Sequence, residues 1–238
     1  MIEQEIKLCW VGAAPDLTVL LGPPIQIRTL ANTYFDTADQ SLARQGYGLR
    51  LRRDGDQIEQ TLKGPAPDQS GIAVRREWSW DRDAFCIDPQ LLPIEVGELE
   101  VVSHNHVQRQ VWQVEGCEVV MDQGQVQVGS AHSPIAEIEV EAVQADWAGV
   151  LRVAQRLAGA VPCYIGAISK AERGHLLSGR ASPPDRSALD GLGRALDPIK
   201  GPDWERAEYW AEQISQPVAD LIRERNADVA GLCLVRMA

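Results

Sequence analysis

The chain has 238 residues, of which 45% are hydrophobic and 24% are charged, a composition typical of a folded globular protein. Its formal net charge of -11 argues against a general nucleic-acid binder, because such proteins need a basic surface to displace counterions from phosphate. A small polyanionic substrate is not excluded, because a local basic pocket can lie within an acidic protein.

Up to about residue 143, most of the sequence alternates polar and apolar residues, which is the pattern of β-strands. The predicted strands span residues 2–10, 32–35, 47–53, 57–63, 72–80, 108–114, 117–121, 125–128 and 135–143. Turn signals lie at Asp54-Gly55, Gly64-Pro65, Glu115-Gly116 and Gln123-Gly124. Many strands joined by short turns, with few helices between them, predict antiparallel pairing in a sandwich or a barrel.

Helices are predicted at residues 38–45, 146–157 and 169–177, with Asp146 and Ser169 as N-caps of the last two. Beyond Gly179 the composition changes, and amphipathic helices are predicted at residues 187–196, 203–225 and 227–237. Such short helices are marginal as an independent domain, so we expect them to pack on the first domain or on a partner. The predicted organisation is a domain over residues 1–180 and a helical extension over residues 181–238.

Charged residues share one face of several predicted strands, because alternate residues of a strand point to the same side. Acids cluster on the first and last of these strands, and bases cluster on the middle ones. The charged faces comprise Glu3, Glu5 and Lys7; Arg50 and Arg52; Thr61 and Lys63; Arg75 and Glu77; and Glu137, Glu139 and Glu141. One such strand is usually a solvated surface strand. The repetition, with the two signs segregated, predicts a site that holds a cation at one wall and an anion at the other.

If the sheet closes with its charged face inward, these groups need a ligand, because desolvating an unpaired ionised group is costly. Arginine side chains bind phosphate oxygens in a bidentate manner, and lysines supply point charges. Glutamates supply the hard oxygen ligands that magnesium or manganese requires. The pattern therefore favours a phosphate chain bound together with Mg²⁺ or Mn²⁺.

An ordered series of motifs runs over residues 1 to about 180. The first is Glu3-Gln4-Glu5-Ile6-Lys7, which has the form ExExK. The others are YFDT at 34–37, LRLR at 49–52, TLK at 61–63, RRE at 75–77, MDQG at 121–124, EIEVE at 137–141 and SK…RG at 169–174. The series resembles the CYTH superfamily, also called triphosphate tunnel metalloenzymes. The resemblance implies an α+β fold, in which a closed antiparallel β-barrel of about eight strands forms a tunnel flanked by helices.

The resemblance also implies roles for individual residues. The expected metal ligands are Glu3, Glu5 and Glu139, with Glu137 and Glu141 as alternates on the same face and Asp122 as a candidate second-metal ligand. The expected phosphate-binding bases are Lys7, Arg50, Arg52, Lys63, Arg75, Arg109 and Lys170. Glu5, Lys7 and Arg52 are the expected catalytic residues.

Two of these assignments stay open at this point. Arg75 is preferred to Arg76 because it shares a strand face with Glu77, but a β-bulge would reverse that choice. Asp122 lies beside the expected turn at Gln123-Gly124, so it is either a turn residue or a metal ligand.

The activity implied by the resemblance is metal-dependent hydrolysis of a triphosphate, with inorganic tripolyphosphate as the first choice of substrate. A thiamine triphosphatase and a class IV-type adenylate cyclase are the alternatives within the family. A non-catalytic binder of polyphosphate or nucleotides, and a structural module acting through its C-terminal helices, are alternatives of other classes. The expected partner is a small triphosphate, not a nucleic acid or a membrane.

Residues 181–238 contain no histidine, unlike the histidine-rich helical domain that often follows the barrel in inorganic triphosphatases of this family. We therefore expect these residues to close one end of the tunnel or to mediate a homodimer, with neither favoured.

The five cysteines are scattered singly, without the spacing of a disulfide framework or a zinc site. The N-terminus is charged from Glu3 onward, and no stretch approaches the length of a transmembrane helix. These features predict a cytoplasmic protein.

Overall fold

Antiparallel strands dominate the computed structural model of the chain, which describes residues 2–65, 74–180, 187–197, 199, 202–214, 216 and 219–220. The strands are β1 (Ile2–Trp10), β2 (Gln26–Thr37), β3 (Gly48–Asp54), β4 (Gln57–Pro65), β5 (Val74–Arg82), β6 (Leu99–Val114), β7 (Cys117–Val128), β8 (Ala131–Ala142) and β9 (Cys163–Ile165). Their order in the sheet is β5-β4-β3-β2-β6-β7-β8-β1-β9, and an additional β5–β1 pairing closes β1 to β8 into a barrel. The closed antiparallel barrel confirms the predicted fold class.

Strand β1 joins the two ends of the barrel. On one side its residues from Glu5 to Cys9 pair with β8. On the other side, residues Ile2 to Gln4 pair with β5, and residues Leu8 to Trp10 pair with β9. The barrel is therefore sealed along this side by a short pairing with β5.

Helices flank the barrel. They are α1 (Thr18–Leu21), α2 (Ser41–Arg44), α3 (Trp147–Ala158), α4 (Lys170–Leu177), α5 (Ala188–Leu196) and α6 (Trp204–Ile214). The Asp146 side chain accepts a hydrogen bond from the Gly149 amide, and the Ser169 hydroxyl accepts one from the Glu172 amide, so both predicted N-caps are confirmed. The helix predicted at 227–237 lies outside the described residues. Each helix in the described part of the chain is too short or too polar to cross a lipid bilayer.

The main hydrophobic core lies outside the barrel wall, between the strands and the helices. Ile6 and Leu8 of β1 and Ile138 of β8 are buried there against Val150 and Leu157 of α3. Burying each such side chain contributes about 1.5–3 kcal/mol. Because these apolar side chains face the helices, the alternating charged side chains of the same strands face the barrel interior.

Two predicted turns are wrong. Gly64-Pro65 is the paired end of β4, where it lies opposite Arg76 and Arg75 of β5. The Gln123-Gly124 segment lies inside β7, which is continuous from Cys117 to Val128 and joins two strands that were predicted separately. Gly124 pairs with Val107 on one side and with Ile135 on the other. A Cβ atom at position 124 would lie 1.9 Å from the His106 carbonyl oxygen, so the glycine permits close approach of two strands. Asp122 is therefore a mid-strand residue and not a turn residue.

Candidate functional site

The barrel interior contains a cavity of about 1080 Å³ lined by charged side chains. The predicted site residues that line it are Glu3, Glu5, Lys7, Arg50, Arg52, Lys63, Arg75, Arg109, Glu139 and Lys170. Arg75 lies on the cavity with Glu77, whereas Arg76 is exposed, and the β4–β5 register runs through this segment without a bulge. The structure thus places Arg75, and not Arg76, on the inner face of the barrel.

Asp122 and Glu137 are fully buried behind this lining, and each contacts Lys170, which lines the cavity. Lys170 is the first residue of α4, and it donates hydrogen bonds to the Glu137 carboxylate and, over 3.1 Å, to Glu139. Its Nζ atom lies 2.8 Å from Oδ2 of Asp122. Burial lowers the pKa of Lys170, but the surrounding carboxylates outweigh it and hold that pKa well above its ordinary value. The lysine is therefore a fixed positive charge.

Lys7 lies beside this cluster on β1. Its Nζ atom lies 3.6 Å from Glu137 and 4.0 Å from Glu139, and it donates a hydrogen bond to the Ile168 carbonyl oxygen. Burial again opposes its charge, and the two carboxylates outweigh burial and raise the pKa of Lys7. The deep carboxylates are therefore already neutralised by protein cations.

A second acidic group lies nearer the barrel seam and is less well neutralised. It consists of Glu3, Glu5 and Glu141, and the nearest cation, Lys63, donates to Glu3 over 2.5 Å. Burial, reinforced by Glu139 and Glu3, raises the pKa of Glu5 to about 7. Burial and then Glu3 likewise raise the pKa of Glu141 to about 8. These raised pKa values indicate an excess of negative charge at this wall.

The acidic wall fits a divalent cation, because such an ion would relieve that excess. One Glu3 carboxylate oxygen, Oε2, is buried without a hydrogen-bond partner in the described part of the structure. Glu3 and Glu5, with Glu139 or Glu141, are the residues that could hold a hard cation such as magnesium or manganese. Asp122, Glu137 and Glu139 also offer oxygens within 4.8 Å of one another, but Lys170 contacts all three. The predicted ligand set thus divides into an outer group and a deep group.

The opposite wall is basic. Nε of Arg52 donates a hydrogen bond to Oδ1 of Asn32 over 3.0 Å, and no carboxylate pairs with Arg52 among the residues that the structure describes. Burial, then Arg50 and Arg109, lower the pKa of Arg52 to about 9. Arg50 has a distant partner, Glu59, at 3.7 Å, and its buried Nε has no hydrogen-bond partner there. An anion in the cavity would relieve both features.

Tyr34 is a buried cavity residue that was not predicted as a site residue, although it lies in the YFDT motif. Burial raises the pKa of its hydroxyl, but Arg50, Lys170 and Arg52 outweigh burial and lower it. The sequence signal for it is its alternation with Asn32 on the inner face of β2.

The cavity can therefore hold an extended polyanion against the basic wall while a cation binds the acidic wall. Charge developing on phosphate oxygens would be stabilised by fixed cations, which is the main requirement of phosphoryl transfer. No Ser or Cys nucleophile is needed for this chemistry.

Comparison with known proteins gives one family. The model of the CYTH domain matches residues 1–175. The inorganic triphosphatase of Haemophilus influenzae is 30% identical over 163 residues, which cover 63% of this chain and 46% of that protein. The chain thus spans less than half the length of this curated relative. A solved structure from Hippeastrum, described as a putative adenylyl cyclase with a dominant triphosphatase activity, superposes with a TM-score of 0.51 at 22% identity over 77% of this chain and 98% of that one.

Proposed function

The chain belongs to the CYTH domain family, and from this premise we propose that it is a divalent-metal-dependent triphosphatase. Its first-choice substrate is inorganic tripolyphosphate, which it would hydrolyse to pyrophosphate and phosphate. The substrate enters the barrel as a small molecule, and neither nucleic acid nor a membrane takes part. We assign the reaction to the cytoplasm.

The observation that carries this proposal is the division of charge across one cavity. Arg52 is half-buried without a carboxylate partner in the described residues, and Glu5 has a pKa raised to about 7 by burial and neighbouring acids. The basic wall lacks the negative charge that a triphosphate would supply. The acidic wall lacks the positive charge that the cation bound with it would supply. A site that needed only structural ion pairs would not leave both walls unbalanced.

The basic residues would bind and orient the phosphate chain. Arg50 and Arg52 on β3 and Lys63 on β4 line one side of the cavity, so they can contact successive phosphate groups of an extended chain. Arginine at two of these positions gives bidentate contacts with phosphate oxygens. These contacts neutralise the charge that builds up on the bridging oxygen as its bond to the terminal phosphorus breaks.

The acidic residues would bind the cation and accept the proton of the attacking water. Glu3 and Glu5 would hold a divalent cation, which when bound would neutralise phosphate charge and lower the pKa of water. Glu141 lines the same cavity and offers a carboxylate that can accept the proton of the attacking water. Water adds its oxygen to the terminal phosphorus, the phosphoanhydride bond breaks, and pyrophosphate leaves.

The test is phosphate release from tripolyphosphate, thiamine triphosphate and ATP, each with Mg²⁺, Mn²⁺ or EDTA. Rapid, EDTA-sensitive cleavage of tripolyphosphate is the expected result, and preference for thiamine triphosphate or formation of cyclic AMP from ATP would reassign the chain to one of the family's other activities. Absence of every product would overturn the enzymatic proposal and favour a polyphosphate or nucleotide binder.

A matched pair of variants tests whether the tunnel is the site. Arg75→Ala removes a cavity-lining cation, whereas Arg76→Ala removes its exposed neighbour. Turnover should fall about tenfold or more for the first and stay at the wild-type level for the second. Equal effects of the two changes would place the chemistry elsewhere.

A further inference from the structure

Helix α5 lies beyond the part of the chain that the family model matches, yet it packs into the core of the barrel domain. Leu192, Ala195 and Leu196 are buried in the same hydrophobic cluster as β1 and α3. A Cβ atom at Gly193 would lie 2.5 Å from the Ile165 carbonyl oxygen. The helix therefore lies in direct contact with the segment that connects β9 to α4.

Two ion pairs join α5 to α4. Arg173 of α4 forms a bidentate pair with Asp197 at the C-terminal end of α5, with distances of 3.0 and 2.6 Å. Arg194 of α5 pairs in turn with Glu172 of α4. Arg173 and Asp197 are only 4% and 2% exposed, so neither charge can be satisfied by solvent if the other is removed. Each helix supplies one acid and one base, which specifies how they align.

The region held by these pairs carries one cation of the deep acidic cluster and contacts another. Helix α4 begins with Lys170, and the connection before it contacts Lys7 of β1, whose Nζ donates to the Ile168 carbonyl oxygen over 3.2 Å. A Cβ atom at Gly166 would lie 2.7 Å from the Lys7 side chain. A shift of α4 would therefore displace Lys170 relative to Glu137 and Glu139 and disturb the hydrogen bond of Lys7.

We propose that Asp197 and Arg194 are positioning residues that hold α4, and with it Lys170, in register with the tunnel carboxylates. The inference rests on the proposed function, because the lysine matters through phosphate hydrolysis. On this proposal, α5 contributes to the tunnel site by fixing the position of α4. Neither residue lies within the matched family region, so this chain would use its own extension to complete the site.

The first experiment changes Asp197 to Asn and uses Asp203→Asn as the control. Asp203 is exposed, and its side chain accepts a hydrogen bond from the nearby Arg206 amide. Amide hydrogen exchange in α4 should accelerate at least about tenfold in the Asp197 variant, while exchange in β3 and β4 stays unchanged. The control should leave all of these rates at the wild-type level.

A double-mutant cycle separates positioning from general destabilisation. Asp197→Asn should lower kcat/KM about tenfold in the wild-type background and less than about twofold in a Lys170→Ala background. In a Lys63→Ala background, where the changed lysine pairs with Glu3 and Glu77, the tenfold loss should persist. Asp197→Glu should restore part of the activity because it keeps the charge.

The outcomes distinguish this inference from the proposed function. Turnover by the wild type with equal losses in both lysine backgrounds would overturn the positioning role and leave the triphosphatase proposal standing. Absence of turnover in the wild type would overturn the triphosphatase proposal. Hydrogen exchange would then test by itself whether Asp197 holds α4 in place. Unchanged α4 exchange in the Asp197 variant would overturn the inference in either case.

Discussion

Arg109 on β6 and Asp122 on β7 are direct partners in the strand register, and their side chains form a bidentate ion pair with N–O distances of 2.7 and 2.6 Å. Asp122 is fully buried, and its pKa is lowered because Lys170 and Arg109 outweigh the effect of burial. The pair therefore stabilises the deep group of carboxylates, Asp122, Glu137 and Glu139. The Asp122 oxygens already contact two cations, Arg109 and Lys170.

Arg109→Ala should lower the free energy of unfolding by about 3 kcal/mol, because it removes one of the two cations that neutralise a buried carboxylate. Urea unfolding would measure the loss. Arg156→Ala is the matched control, since Arg156 pairs with Glu115 on the surface, and its cost should stay below about 1 kcal/mol. Similar costs for the two changes would show that Asp122 does not depend on Arg109.

Arg52→Ala should lower kcat and raise KM together, giving a loss of about 100-fold in kcat/KM, because its contact would serve both the bound substrate and the transition state. Stability should fall by less than about 1.5 kcal/mol, because the change removes a hydrogen bond to Asn32 but no carboxylate pair in the described structure. Arg53→Ala, on the exposed face of the same strand, should leave the kinetics unchanged. A drop in melting temperature without a kinetic defect would instead identify Arg52 as a structural residue.

Glu5→Gln should abolish metal-dependent turnover while the fold stays intact, because the amide is nearly isosteric but binds a hard cation poorly. Isothermal calorimetry with Mn²⁺ should show weaker binding, and circular dichroism should show an unchanged spectrum. Turnover near the wild-type level would remove Glu5 from the proposed metal site.

The same variant should alter the pH dependence of stability in EDTA. The pKa of Glu5 is raised from 4.5 to about 7, so the folded protein holds this proton more tightly than the unfolded chain does. Its stabilising contribution is complete below pH 4.5 and is lost as the pH rises through about 7. Between pH 5 and 8 the wild type should therefore lose about 1–3 kcal/mol relative to Glu5→Gln.

Thermal melts of both proteins in EDTA across this range would measure the difference. Charged groups that do not interact with Glu5 cancel in the comparison of the two proteins. Added Mg²⁺ should raise the melting temperature of the wild type most strongly at the alkaline end of the range, where Glu5 is ionised. Parallel melting curves for the two proteins would show that Glu5 titrates at its ordinary pKa.

The charged and apolar faces of the strands could be predicted from the sequence, because alternation decides which residues share a side. Glu3, Glu5 and Lys7 line the cavity as that alternation predicts, with Ile6 and Leu8 on the opposite face. Which face lies inside could not follow from alternation alone. It followed from the segregation of acids and bases and from the family motifs.

Neighbours across the barrel could not be predicted in the same way. The Lys63–Glu3 contact joins residues 60 positions apart, and the contacts of Asp122 depend on the register of β6, β7 and the start of α4. Gly124 was misread because glycine marks a turn as readily as it marks a close approach of two strands. The ion pairs between α4 and α5 were not predicted, because pairing between two helices leaves no periodic signal in the sequence.

The pairing of β1 has a consequence for how the protein is made. Strand β1 is synthesised before its partners, and its longest pairing is with β8, which ends at Ala142. Glu3 can pair with Arg75 of β5 early, whereas Glu5 must wait for its partner Glu141 until most of the barrel has been synthesised. One of the two residues proposed to hold the cation is thus made early and assembled late. A nascent chain that stalls between β6 and β8 would contain Arg50, Arg52 and Arg109 and would lack Glu139 and Glu141.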